Sequence, residues 1–110
     1  MYAVIFEVYP RAGKYETYLD IAAKLRPELD KIDGFISIER FTSITNEGKV
    51  LSLSFWENEE AIIAWRNHVE HQLAQKQGRN SIFDDYRLRV VNVVRDYGMF
   101  EREEAPQSLP

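Results

Sequence analysis

Ser54-Phe55-Trp56-Glu57-Asn58-Glu59-Glu60, continuing through Ala64-Trp65-Arg66-Asn67-His68-Val69-Glu70-His71, is the stretch whose reading decides the fold. Its first part is the end of an apolar strand. Asn58 is then a good helix N-cap, because its side-chain oxygen accepts from the orphan backbone N–H groups of a first turn. Glu59 and Glu60 follow where the helix dipole favours negative charge. The amphipathic helix that begins there carries a tryptophan and both of the chain's histidines. The side chains that titrate near neutral pH therefore fall in one short stretch.

Working back toward the N-terminus, Lys49 to Trp56 alternates as a strand, with Leu51, Leu53 and Phe55 on an apolar face and Val50, Ser52, Ser54 and Trp56 on a mixed one. Thr45-Asn46-Glu47-Gly48 is a hairpin turn, and Phe35 to Ile44 is the antiparallel strand on its other side. Apolar residues Tyr15, Tyr18, Leu19, Ala22, Leu25, Leu29 and Ile32 recur at helical spacing from Lys14. Pro27 lacks a backbone donor, so the main helix is expected to stop near Leu25 and a short turn to start at Pro27. Asp33-Gly34 ends it as a C-cap pair. Tyr2 to Tyr9 is a strand with Tyr2, Val4, Phe6 and Val8 on one face and Ala3, Ile5, Glu7 and Tyr9 on the other.

Beyond the quoted stretch, the second helix is expected to break or bend near Asn67-His68, resume through Leu73 and end at Gly78. Ser81 caps one more short turn before Tyr86, and Arg87 to Tyr97 is the last strand. Residues 1–98 read as one domain and 99–110 as a flexible tail with little to bury.

The order strand, helix, strand, strand, helix, strand predicts an α+β, ferredoxin-like βαββαβ fold, with an antiparallel sheet and both helices on one face. The other face is bare, and Ile5, Tyr9, Val50, Trp56, Val91 and Val93 are assigned to it. So large an apolar patch is unusual on a monomer, and a second copy is expected to cover it. At 110 residues a lone domain buries a limited share of its surface, which also favours a partner subunit.

A net charge of −4, from 14 Lys and Arg against 18 acids, is a poor match for a phosphate backbone, so no nucleic-acid partner is expected. The absence of cysteine excludes disulfides, thiolate metal sites and a cysteine nucleophile. No apolar run approaches the ~20 residues of a membrane span, and the first residues lack the basic region of a signal peptide. A cytoplasmic protein with no membrane partner is the expectation.

The chain resembles the antibiotic biosynthesis monooxygenase domain family of the dimeric α+β barrel superfamily. The resemblance rests on Asp33-Gly34-Phe35-Ile36-Ser37-Ile38-Glu39-Arg40-Phe41, on Leu53-Ser54-Phe55-Trp56-Glu57, and on Ala64 to His71 with Gln75 to Gly78 following. It implies a homodimer whose sheets pack face to face, with a pocket in each subunit between the sheet's open face and the second helix. It also implies one of several activities: cofactor-free oxygenation of phenols or quinols, haem degradation, or none yet assigned. Haem-degrading members combine a first-strand asparagine, a helix tryptophan and a histidine ligand further along that helix. Trp65 matches the tryptophan, but Glu7 stands where the asparagine is expected and Leu73 to Lys76 holds no histidine. Haem is therefore disfavoured, and no cofactor or metal site is expected.

In the leading reading, a small monooxygenase acts on an aromatic or quinol-type molecule. His71 or His68 is the general base, and Asn67 and Arg89 stabilise negative charge. Trp65, Trp56, Phe41 and Tyr9 wall the pocket, while Glu7, Glu39, Arg89 and Arg95 project toward the open face and form salt bridges across the dimer interface, or Glu7 is instead a proton acceptor whose pKa desolvation raises. Each residue also has a structural role to fill: the histidines as interhelix hydrogen-bond partners, the tryptophans as core. A non-catalytic dimeric binding protein for a small hydrophobic molecule is the alternative.

Overall fold

The computed structural model describes residues 1–76 and 81–106, with side chains described for 1–69 and 81–106. β1 (Tyr2–Pro10), α1 (Tyr15–Leu29), β2 (Phe35–Thr42), β3 (Val50–Trp56), α2 (Glu59–Lys76) and β4 (Phe83–Asn92) follow in the expected order. The strands form one antiparallel sheet in the order β2-β3-β1-β4, so each helix crosses from one strand to the next but one. This is the ferredoxin-like arrangement.

Residues paired across neighbouring strands point to the same side of a sheet. Val4, Phe6 and Val8 face the helices, and their partners Ser54, Ser52 and Val50 must do so too, as must Trp56 beside Tyr2. The assignment of Val50 and Trp56 to the open face is thereby corrected. Leu51, Leu53 and Phe55 take their place there, because β3 pairs with β1 one residue out of the phase assumed from composition.

Two apolar clusters fill the helix side. Val4, Leu29, Trp56, Ala61 and Ile62 form one, and Val8, Tyr18, Val50 and Ile82 the other. Gly34 joins the first to the start of α2: its φ is +97°, and a Cβ there would lie 3.0 Å from Ala61 Cβ and 3.2 Å from Asn58 Nδ2. Asn58 Oδ1 accepts from the Ala61 N–H at 2.9 Å, as an N-cap should. The Gly34 carbonyl accepts from the Glu57 N–H at 2.7 Å, tying the turn after α1 to the turn before α2.

Three expectations about element boundaries fail. α1 runs unbroken through Pro27 to Leu29; Ala23, whose carbonyl loses its partner, and Pro27 are both exposed, so water replaces the missing bond at little cost. α2 runs straight past Asn67-His68, since the regular i→i−4 ladder satisfies the backbone without help from the asparagine side chain. β4 begins at Phe83 and ends at Asn92, because pairing of Tyr9 with Asp85 and Pro10 with Phe83 recruits the acidic pair Asp84-Asp85 into the ladder. The expected helix end at Gly78 lies outside the described residues. Among those residues no helix is long and apolar enough to cross a membrane.

Candidate functional site

On α2 the buried stripe is Ala61, Ile62, Trp65, His68 and Val69, the spacing of one helix face. Trp65 packs against the Val4–Trp56 cluster, and its ring lies 5.4 Å from that of His68 at an interplanar angle of 33°. His68 Nε2 is 3.1 Å from Glu28 Oε2 on α1, joining the two helices. With Glu28 as the acceptor Nε2 is the donor, and in the neutral ring Nδ1 then holds the lone pair. The interhelix bond foreseen for a histidine is thus present, and it also orients the imidazole.

The sheet below is sealed unevenly. Val4 and Val8 on β1 are 8% and 0% exposed, whereas Tyr86, Leu88 and Val90 on the same side of β4 are 39%, 45% and 41% exposed. Among the described residues, α2 therefore packs over β3 and β1 and leaves the inner face of the edge strand uncovered. Phe6 floors this strip. Its ring lies 5.9 Å from Phe83 and 5.6 Å from Tyr86, and Tyr18 meets Phe83 at 5.7 Å, so aromatic edges bound one end. Such a strip suits a flat apolar ligand. Sequence reasoning missed Phe6, Phe83, Leu88 and Val90; the alternation of β4 placed Leu88 and Val90 on one face, but nothing local shows that a helix leaves that face open.

Arg40 was also missed. It shares a transverse row on the helix side with Ser52, Phe6 and Leu88. Its Nε donates to the Tyr18 hydroxyl at 3.2 Å and its guanidinium lies 5.7 Å from that ring. Among the described residues it has no carboxylate partner within ion-pair distance.

The remaining sequence candidates lie elsewhere. Trp56 is 2% exposed in the core, with its Nε1 donating to Ser54 Oγ at 2.8 Å; it is a packing residue of the helix side, not an open-face wall. Asn67 is on the exposed side of α2. The side chain of His71 lies outside the described residues. Glu7, Tyr9, Phe41 and Arg89 occupy the open face, which α2 does not touch, so that face and the second helix do not enclose a common pocket as expected; a cleft beside the open face is lined by Glu7, Tyr9, Lys49, Asp85, Tyr86 and Arg87.

On the open face Glu7 Oε2 is 3.4 Å from Lys49 Nζ and 3.3 Å from Arg89 Nη1. Partial burial raises the carboxyl pKa, but the two cations and their hydrogen bonds outweigh that, and the net shift is downward. Glu7 is thus held as a carboxylate rather than poised as a base, contrary to the desolvation expectation. Nearby, Asn46 Nδ2 donates to the Tyr9 hydroxyl at 2.6 Å. No group of three or more His, Cys, Asp or Glu able to hold a metal occurs among the described residues.

Comparison with known proteins agrees with this fold. A jasmonate monooxygenase of Pyricularia oryzae is 48% identical over 93 residues, which cover 84% of this chain but 43% of that protein, so the chain spans less than half of its length. The uncharacterized protein YqjZ of Bacillus subtilis is 31% identical over 94 residues, 86% of this chain and 80% of that one. The solved structure of the heme-degrader MhuD from Mycobacterium tuberculosis superposes with a TM-score of 0.67 at 20% identity, covering 89% of this chain and all of the other, a likeness of fold. The family model described as antibiotic biosynthesis monooxygenase matches residues 1–77, from β1 through the whole of α2. By that match and by its curated relatives, the chain belongs to the antibiotic biosynthesis monooxygenase family.

Proposed function

We propose that this chain is a monooxygenase of a flat, electron-rich, phenol- or quinol-type molecule, working as a homodimer without a tightly bound cofactor. The observation that carries the reading is an uncovered apolar strip, Leu88 and Val90 above Phe6, on the same side of the sheet as an imidazole anchored by Glu28. The 48% identity to a jasmonate monooxygenase of Pyricularia oryzae supports it.

The lone pair on His68 Nδ1 takes the acidic proton of the substrate, leaving an electron-rich anion. That anion gives one electron to dioxygen, and the radical pair combines to a peroxide. Loss of water then leaves a carbonyl, with one oxygen atom in the product and the other in water. Arg40 is the guanidinium that stabilises the anion on this side of the sheet, the part assigned from sequence to Arg89. Trp65 and the β4 strip shield the reacting centre from solvent.

The test is oxygen uptake with a panel of quinols and anthrones. Replacing a general base lowers turnover by about 10²-fold or more, so His68→Ala is expected to lose at least that much while His71→Ala serves as the second histidine variant. Uptake that survives both substitutions removes histidine from the mechanism. Ligand binding, read by tryptophan quenching, with no uptake for any substrate selects the non-catalytic binding protein. Hemin titration is expected to give no Soret shift.

A further inference from the structure

Three hydrogen-bond donors meet under α1 on the helix side of the sheet, with no carboxylate among them. Arg40 on β2 and Ser52 on β3 are direct partners across the ladder, so their side chains rise about 5 Å apart from the same side. Arg40 Nε donates to the Tyr18 hydroxyl at 3.2 Å, which brings α1 over the same spot. Tyr18 and Ser52 are 7% and 6% exposed, and neither hydroxyl proton has an acceptor among the described residues. The guanidinium is half-buried and unpaired, whereas Lys49, which is also half-buried, is held by Glu7 at 3.4 Å. Partly burying a cation and two hydroxyls without an acceptor costs free energy that a bound anion recovers.

We propose that Arg40, Tyr18 and Ser52 form a carboxylate-binding subsite, and that the substrate is a flat aromatic acid whose carboxylate they hold. A carboxylate is planar, singly charged and acceptor-only. The Nη donors of one guanidinium grip it as a fork, and the two hydroxyls satisfy its remaining lone pairs. A phosphate dianion would leave charge that a single cation does not match. From Ser52 the same transverse row continues to Phe6 and Leu88, about 10 Å away at ordinary strand spacing. The anion site thus stands at one end of the row and the apolar strip at the other, and Tyr18 links the two by meeting Phe83 at 5.7 Å. That separation suits a body of fused rings with its acid group at one end. The carboxylate orients the substrate and takes no part in the transfer of electrons or oxygen. Where it stands beside the oxygen that loses its proton, the guanidinium meets both, in keeping with the role given to Arg40 above.

This inference rests on the monooxygenase reading and adds the class of its substrate. The test is binding of 1,4-dihydroxy-2-naphthoic acid and of its carboxamide, which has the same shape without the charge, read by tryptophan quenching under nitrogen. The wild type is expected to bind the acid about 10-fold or more tightly than the amide, the scale of a charge-assisted hydrogen-bonded pair. Arg40→Met keeps an unbranched stem and is expected to erase that preference, with Arg40→Lys recovering part of it. Should circular dichroism show that Arg40→Met does not fold, Tyr18→Phe, which keeps the ring packed on Phe83, is expected to weaken the preference instead. Acid and amide bound equally by the wild type, a preference that survives the substitution, or binding of neither molecule overturns the subsite. Admitting air separates the two claims. Acid-selective binding without oxygen uptake sinks the monooxygenase reading and keeps the subsite, whereas uptake with equal binding of acid and amide does the reverse.

Discussion

Gly34 shows how much a single position can hold. Its positive φ is unfavourable for any side chain, and a Cβ would press on Ala61 at the start of α2. Gly34→Ala is expected to cost about 2 kcal/mol from backbone strain and contact together, read as a lowered urea midpoint with unchanged slope. Glu7 gives a pH-dependent counterpart. Lys49 and Arg89 lower its folded pKa below the ordinary value of 4.5 despite its partial burial, so its contribution is full above that value. It is lost as pH falls through the lowered folded value. Glu7→Gln is therefore expected to be less stable than wild type at pH 7, with the difference closing at pH 3. Equal differences at both pH values would show that the ion cluster does not cause it. His68 and Glu28 are 34% and 43% exposed in their side chains, so their contact adds less than about 1 kcal/mol to stability. A Glu28→Gln variant that loses much more activity than stability would separate orientation of the base from simple tethering of helices. The capping role of Asn58 was legible from its neighbours; the close approach that requires glycine at 34 was not, because it joins residues from two turns.

At the scale of elements, α1 and α2 each run unbroken where local rules suggest a break. Pro27 removes one backbone bond near the end of α1, yet Tyr18 and Leu29 bury against the sheet on either side of it. Tertiary burial outweighs that local defect. Pro27→Ala restores the bond to the Ala23 carbonyl and is expected to raise stability by about 1 kcal/mol, seen as a rise of several degrees in melting temperature. A fall instead would mean that the ring itself packs usefully. The alternation of β1 was readable because one face is wholly apolar. That of β3 was misassigned because Val50 and Trp56 flank two serines, and composition alone suggested the solvent side. Its register with β1 decides the matter: Trp56 opposite Tyr2 carries the serines inward, where Ser54 accepts the indole N–H.

For the whole molecule, the radius of gyration is 16.2 Å and the extents are 57 × 35 × 19 Å. A compact chain of this length would have a radius near 13 Å. The sheet is thin because one side carries no helix, and residues beyond β4 extend from it with Val94, Met99 and Phe100 exposed. If a second copy covers that side, the melting temperature must rise with protein concentration. A melting temperature constant over a hundredfold range would sink the homodimer. The sequence by itself determined the number, order and kind of elements, because periodicity and caps are local and each is written in a few neighbouring residues. Which residues share a side of the sheet, where α2 leaves β4 uncovered, and the meeting of His68 with Glu28 were decided only by tertiary structure. Strand register and helix packing depend on pairings between distant segments, and no window of sequence contains both partners.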